Sequence, residues 1–389
     1  MRRGEVWKMT QKTLLVTVAL VFLSVVCGTA FARTPVSIGT FAPGAMDGIT
    51  DVAGVRVGHV TKVEGTNVRT GATGIIAGDD VWNQRVAAAT FDLNGNGEMT
   101  GAHWVNQSGF LEVPIVLTDT LDVGRADDGV VSWLIGKHPQ IGVREDVPLP
   151  VVAECDDQGI NDIQGRHVHA EDVVTMLDAA KPGDFARGNV GAGTGMRAFG
   201  FAAGIGSASR VLPKALGGYT VGVLVNANTG SRAELRIDGV PVGRAFASEL
   251  LPIYPRTAGY VAPQRGRAAD GSVIIVVATD APLDHNRLHD IAKRAGLGLA
   301  RTGATSHVSS GDLFIAFSTT HVYPRAGGIT GPPLESDDDR VDALFAATAD
   351  ATEAAIDDAL FSAHNVTGRG GVTYFNLPAA RVLPLLRRT

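Results

Sequence analysis

The sequence predicts a layered α+β fold, and three observations carry that prediction. Seven short runs are apolar or alternate apolar with polar residues, the mark of strands. Three longer stretches keep apolar side chains at helical spacing. The two kinds of segment intermix without the strict strand–helix alternation that a βα barrel needs, so stacked layers fit better.

The strand runs are Val36–Gly39, Val55–Val60, Val113–Leu117, Val151–Cys155, Tyr219–Asn226, Val273–Thr279 and Leu313–Ser318. The longest helical stretch covers Arg340 to Ala363, with Val341, Leu344, Phe345, Ala355, Ile356, Ala359 and Leu360 on a repeating stripe. A second starts at Leu283, behind Asp280 and Pro282, and is expected to stop at Gly296. A third, shorter one spans Ala170–Lys181. Between Ser231 and Asp270 the chain turns rich in Arg, Pro and Gly, a long surface connection or an exposed leader to a processing site.

The 389 residues suffice for a large core, and 45% hydrophobic with 19% charged residues excludes a disordered chain. The first 32 residues stand apart. Arg2, Arg3, Lys8 and Lys12 precede the apolar run Leu14–Cys27, and Ala30-Phe31-Ala32 follows. A basic head, a short apolar middle and a small-residue ending predict a secretory signal cut after Ala32, and hence an exported, periplasmic protein. The run is shorter than the ~20 residues of a spanning helix. Val26 is too bulky for the site ahead of a lipid-modified Cys27, and nothing after Arg2-Arg3 completes a twin-arginine signal.

Losing residues 1–32 removes four cations and Glu5, so the formal charge moves from −6 to −9. A mildly acidic chain with no basic run has no electrostatic footprint for nucleic acid. Cys155 is then the single cysteine, which excludes an intramolecular disulfide in spite of the oxidising compartment.

Common catalytic signatures fail. No G-x-S-x-G elbow and no P-loop occur. Gly191-Ala-Gly-Thr-Gly195 resembles a dinucleotide turn, but Met196 stands where its last glycine belongs, so close backbone packing or an anion nest is the better reading. His285 and His289 have the spacing of a zinc pair, yet Asn286 replaces the glutamate of H-E-x-x-H. No metal or cofactor is called for. What remains is Gly271-Ser272 at the head of the most apolar run. By itself that serine reads as a strand start. Glycine before it permits a strained backbone in which the Ser272 hydroxyl attacks the Gly271 carbonyl. Cleavage would free an α-amine, with an unperturbed pKa near ~8, to act as general base.

Six segments stand out in order along the chain: Gly48–His59, Val68-Arg-Thr-Gly71, Leu93–Gly101, Asn189–Gly195, Gly271–Leu283 with Asp280-Ala-Pro282, and Ser309–Ser318. Together, in family order over nearly the whole mature chain, they resemble the self-processing family that contains the L-aminopeptidase/D-esterases and β-aminopeptidases, with nylon-oligomer hydrolases as cousins. The resemblance implies a four-layer α/β/β/α sandwich of the N-terminal-nucleophile-hydrolase kind. It implies cleavage into pieces 33–271 and 272–389 that stay together as one structural domain, in a homo-oligomer of cleaved pairs. Ser272 matches the nucleophile, Ser310 and Asp312 its assisting serine and acid, and Asn228 the amide that donates to the oxyanion. Glu154 matches the glutamate that holds the substrate's amino group. The β-aminopeptidases favour glutamate where Asp312 stands, so Asp312 leans toward the nylon-hydrolase pattern.

Two positions depart from the family. Asp156 stands where a tyrosine is usual, beside Asp157, and Asp119 where relatives often have asparagine. Neighbouring carboxylates either raise one another's pKa or bind a cationic substrate group. Hydrolysis of a small amide or peptide with a free amino terminus is the expected activity, with Glu154, Asp156 and Asp157 as the negative pocket. An amidase for ω-amino-acid oligomers or other non-peptide amides, and an exported binding protein without turnover, are the alternatives.

Overall fold

In the computed structural model, which describes residues 34–255, 271–334 and 339–387, the apolar runs pair into two principal sheets. The expected secretory segment and residues 256–270 of the Arg/Pro/Gly-rich stretch lie outside the described residues. In chain order the elements are β1 (Arg56–Glu64), β2 (Val68–Ile76), β3 (Gln84–Gly95), α1 (Ala102–Ser108), β4 (Phe110–Leu111), β5 (Ile115–Thr118), α2 (Val123–Lys137), β6 (Val151–Glu154) and α3 (Ala170–Asp178). There follow β7 (Arg197–Ala198), β8 (Phe201–Ala202), β9 (Ile205–Val211), β10 (Thr220–Asn228), α4 (Val242–Ala245), β11 (Ser272–Thr279), α5 (His285–Arg301) and β12 (Gly311–Pro324). The chain ends in α6 (Asp339–Phe361), β13 (Val366–Thr367), β14 (Thr373–Tyr374) and α7 (Ala379–Leu386).

One sheet has the order β1-β2-β5-β6, the other β4-β3-β12-β11-β10-β9. Strand β11 shows how they stack. Its residues alternate faces. Ile274, Val276 and Ala278 join a core that includes Val116, Leu117 and Val152 of the four-stranded sheet. Val273, Ile275 and Val277 join a second core with Leu288, Ile291, Ala295, Ala351, Ala355 and Ile356 of α5 and α6. On the far side of the four-stranded sheet, Val130 and Leu134 of α2 and Val173 and Leu177 of α3 close the first core. The result is the expected α/β/β/α sandwich, with β11 buried on both faces along its whole length.

Several expected elements shift. Val36–Gly39 forms no strand. Strands β2, β3 and β9 and helix α2 form without having been expected, because small residues such as Gly71, Gly74, Ala87, Ala88, Ala89 and Gly206 break the apolar signal while fitting between layers. The Ser231–Asp270 stretch is not all surface. Arg232 is buried, lies over the Phe201 ring, and donates to the carbonyls of Phe199, Gly200, Phe246, Glu249 and Leu250.

Helix α5 runs through Gly296 to Arg301. Gly298 serves the crossing with α6, where a Cβ would come within 2.4 Å of the Ala349 carbonyl oxygen, whereas one on Gly296 would find its nearest atoms, on Phe314, at 3.5 Å. Gly298→Ala is therefore expected to lower stability by about 1–3 kcal/mol through overpacking. Gly296→Ala is expected to raise it by up to about 1 kcal/mol through helix propensity. Thermal unfolding of the two variants checks both signs.

Candidate active site

The site is built where β11 begins. Ser272 shares the parity of Ile274 and so faces the space between the sheets. Pairing sets its neighbours: it lies opposite Asn228 of antiparallel β10 and Gly311 of parallel β12. The Asn228 amide nitrogen donates to Ser272 Oγ at 3.3 Å and to the Asp156 carbonyl at 2.9 Å, while its Oδ1 accepts from the Arg197 N–H at 3.3 Å. Three of the four bonding directions of that side chain are thus committed, which fixes the donor that faces the hydroxyl. From the opposite sheet Cys155 reaches the same place. Its thiol donates to the Asn226 carbonyl at 3.6 Å and lies in hydrogen-bond contact with Ser272. Burial above all, and then nearby Glu154, push the thiol far up, so Cys155 is a packing residue rather than a second nucleophile.

Gly271 is held on both sides. Its carbonyl accepts from the Gly311 N–H at 3.1 Å. A Cβ there would lie 3.2 Å from both the Asn228 carbonyl oxygen and Thr229 Cα, closer than side chains ordinarily sit. The bond between Gly271 and Ser272 therefore has its carbonyl polarised by one backbone donor and its hydroxyl touched by Asn228.

Ser310 and Asp312 flank Gly311, the pairing partner of Ser272, and the Ser310 hydroxyl donates to Asp312 Oδ1 at 2.7 Å. The two side chains, expected from their spacing to share a face, are bonded to each other. Asp312 is fully buried; burial raises its pKa, while hydroxyls of Ser310 and Ser306 and the charge of His307 pull it back. Its Oδ2 has no hydrogen-bond partner among the described residues. The end of β3 and the turn after it tie this pair down. Asn94 Nδ2 and the Asn96 N–H both donate to the Ser310 carbonyl. The same turn continues to Glu98, whose N–H donates to Glu154 Oε1 at 3.1 Å.

Glu154 ends β6, alongside Thr118 of parallel β5. The Thr120 hydroxyl donates to its Oε2. The carboxyl is 5% exposed, and burial raises its pKa, with the Thr120 and Glu98 hydrogen bonds opposing and the charges of Asp156 and Glu98 adding to the rise. A carboxylate penned among acids and apolar surface is stabilised in its charged form by an arriving cation. Thr120, the Asn94–Glu98 turn and the Gly311 N–H are site groups that residue types alone did not single out. Threonine and asparagine in short polar loops give no signal until the fold brings them to a carboxylate.

Asp156 stands at the rim, half-buried, with its Oδ1 accepting from the Gln158 N–H at 2.7 Å. What it offers Asn228 is its backbone carbonyl. Asp157 does not join the negative pocket as expected. It is 2% exposed and bonded to Asn161 Nδ2 at 2.9 Å, and besides Asp156 it has the charges of Asp122 and Asp119 beside it. The paired histidines of α5 each engage a β3 carbonyl: His285 Nδ1 lies 2.8 Å from Ala88 O and His289 Nδ1 3.0 Å from Thr90 O. The Gly191–Gly195 segment is a packing device. Cβ atoms at Gly193 and Gly195 would fall 2.4 Å from the Ile205 nitrogen and the Arg69 carbonyl oxygen.

The model of peptidase family S58 matches residues 47–374. A β-peptidyl aminopeptidase BapA from Sphingosinicella xenopeptidilytica is 40% identical over 358 residues, covering 89% of this chain and 88% of that protein. The β-aminopeptidase structure from Burkholderia sp. superposes with a TM-score of 0.80 at 39% identity, over 92% of this chain and 99% of that one. The L-aminopeptidase D-Ala-esterase/amidase from Ochrobactrum anthropi, described as a variant among Ntn-hydrolase folds, superposes with a TM-score of 0.79 at 34% identity, over 90% and 97% of the two chains. The sandwich, the matches along its whole length and the polar cluster at the head of β11 agree: this chain is a member of peptidase family S58, an aminopeptidase hydrolase with the Ntn fold.

Proposed function

We propose that the chain cleaves itself between Gly271 and Ser272 and then hydrolyses small amides or peptides with a free amino terminus through an acyl-enzyme on Ser272. The observation that carries this reading is the position of Ser272 Oγ, 3.3 Å from Asn228 Nδ2, on the residue that directly follows a carbonyl held by the Gly311 N–H. In the first event the hydroxyl adds to the Gly271 carbonyl carbon, the C–N bond breaks, and the chain is left as an ester with a free Ser272 amine. Water then hydrolyses the ester to the Gly271 carboxylate and restores the hydroxyl.

In turnover the Ser272 amine accepts the proton of its own hydroxyl as oxygen attacks the substrate carbonyl. The oxyanion takes a hydrogen bond from Asn228 Nδ2. The protonated amine hands that proton to the leaving amine, and water repeats the sequence to release the acid. The hydrogen-bonded Ser310–Asp312 pair, one position to either side of Gly311, orients the new amine. Glu154 receives the substrate ammonium. A 40%-identical relative is named for β-peptides, which makes β-aminoacyl amides the first substrates to try.

The basic head, apolar run and Ala30-Phe31-Ala32 support export to the periplasm with cleavage after Ala32, and we place the working enzyme there as an oligomer of cleaved pairs. Intact mass of the purified protein together with rates on a panel of α-, β- and ω-aminoacyl anilides tests the proposal. Two fragments meeting at Gly271/Ser272 and turnover of at least one class are expected. An uncut chain, or a cut chain that turns over none of them, would sink it. Glu154→Gln is expected to lower kcat/KM about 10–100-fold on substrates with a free amine, chiefly through KM, by the loss of one charged hydrogen bond. N-acetylated substrates should not feel the change, and comparing the two series checks the assignment.

A further inference from the structure

Three carboxyls outside the site, Asp119, Asp122 and Asp157, are at most 2% exposed and lie against one another. Their neutral partners are few. Thr70 donates to Asp119 Oδ2 at 3.0 Å, the Leu121 and Asp122 N–H groups donate to Asp119 Oδ1, Asn161 donates to Asp157 Oδ1, and the Val168 N–H donates to Asp122 Oδ2. Among the described residues the charged neighbours are the Arg166 Nε, 3.9 Å from Asp122 Oδ1 on a 44% exposed side chain, and the carboxylate of Asp156. Gly195 backs directly onto Asp157, where a Cβ would fall 2.9 Å from the Asp157 Cβ. Asp157 Oδ2 is buried with no hydrogen-bond partner among the described residues. Asp119 and Asp122 are close enough to hydrogen-bond through their carboxyls, which requires that one of them carry a proton.

Three negative charges around one distant, partly solvated cation would be prohibitively costly in so dry a place. Burial first, and then mutual repulsion, hold both Asp119 and Asp157 well above the ordinary carboxylate range. The protons belong to the cluster rather than to one acid.

The cluster sits between the two halves of the active site. Asp119 caps the turn Thr120–Asp122, and that turn carries the hydroxyl that holds Glu154. Asp157 follows Asp156, whose carbonyl holds the Asn228 amide. We propose that Asp119 is a positioning residue, which locks the amine-holding turn and the oxyanion-holding loop together through a proton shared with Asp122 and Asp157, so that the site loosens when that proton leaves. The catalytic consequence rests on the roles of Glu154 and Asn228 proposed above.

The sign of the accompanying stability change is set by the raised values. Between the ordinary carboxylate range and their folded values, the native chain holds protons that the unfolded chain has released, so stability falls as pH rises through that window. Asp119→Asn keeps the cap acceptor and offers a permanent N–H in place of the shared proton. Asp119→Ala keeps neither.

The test uses the mature full-length protein and these two variants. Difference infrared spectroscopy between neutral and alkaline pH should show a protonated-carboxyl band in the wild type that fades on alkalinisation and is reduced in Asp119→Asn. The pH slope of Tm should flatten in the same variant. On the best anilide, alkaline kcat/KM of the wild type should fall by about tenfold per pH unit beyond the transition. In Asp119→Asn the fall should come later or be shallower, whereas Asp119→Ala should be impaired at every pH. The Ser272 amine and the substrate amine titrate alike in all three proteins, so the difference between profiles isolates Asp119. An unchanged infrared band and Tm slope in Asp119→Asn would overturn the shared proton. An altered band with an identical rate profile would overturn the link to the site. Failure of the wild type to turn over any amide would count against the proposed function alone, because the infrared and thermal measurements need no substrate.

Discussion

Ser272→Ala is expected to give a single uncut chain with turnover reduced by a factor on the order of 10⁴ or more. Two losses combine in that number. The hydroxyl that forms the acyl-enzyme is gone, and the α-amine that would serve as its base remains locked in the Gly271 peptide bond. The fold should hardly notice. Ser272 makes hydrogen-bond contact with Asn228 and Cys155, both of which keep other partners in the Asp156 and Asn226 carbonyls. An unchanged circular dichroism spectrum and a Tm within a few degrees would separate lost chemistry from lost structure. Ser272→Cys is the companion, since a thiol can still add to the Gly271 carbonyl; it should be cut slowly where alanine is not cut at all. Mass spectrometry of the three proteins after equal incubation decides the matter. A cut Ser272→Ala chain would mean that another group breaks the bond.

Asn228→Ala is expected to cost about 10²–10³-fold in kcat, or roughly 2.7–4 kcal/mol, with a smaller effect on KM. That split is the signature of a donor that matters more to the oxyanion than to the ground-state carbonyl. Self-cleavage should slow as well, because Ser272 and Asn228 are paired before the chain is cut. Asn228→Asp refines the test: its oxygen can still accept from the Arg197 N–H, but no donor remains for an oxyanion, and a new negative charge opposes one. It should be at least as poor as alanine. A variant whose kcat survives intact would remove Asn228 from the oxyanion role and leave it as the tether of the Asp156 loop.

The site was unevenly legible in the sequence. Ser272 stood behind a glycine and before an unbroken apolar run, which by itself reads as a strand start, and its role as nucleophile rested on the resemblance. Ser310 and Asp312 could be seen to share a face from their spacing, and they are bonded to each other. Glu154 and Asn228 rested on the resemblance altogether. A glutamate at the end of a short strand and an asparagine before Thr229-Gly230 are ordinary turn chemistry until β6 and β10 bring them to the head of β11. Asp157 was misread for the same reason. Beside Asp156 in sequence it looked like part of one negative pocket, yet the chain turns there, and one acid stays at the rim while the other enters a closed cluster with Asp119.

The layers themselves follow from residue pattern: period-two apolar runs must pair and period-3.6 stripes must cover them, whatever the order of strands. Pattern is a local property, carried by the alternation of Ile274, Val276 and Ala278 with Val273, Ile275 and Val277. Strands β2, β3 and β9 escaped it because close packing between layers selects glycine and alanine, which carry little hydrophobic signal. Register and proton placement are not local. That Ser272 pairs with Asn228 and Gly311, that Thr120 reaches Glu154, and that three acids share one dry space all depend on contacts between segments tens of residues apart. The free energy of those contacts comes from exclusion of water, and water is excluded only once the two sheets have closed on each other.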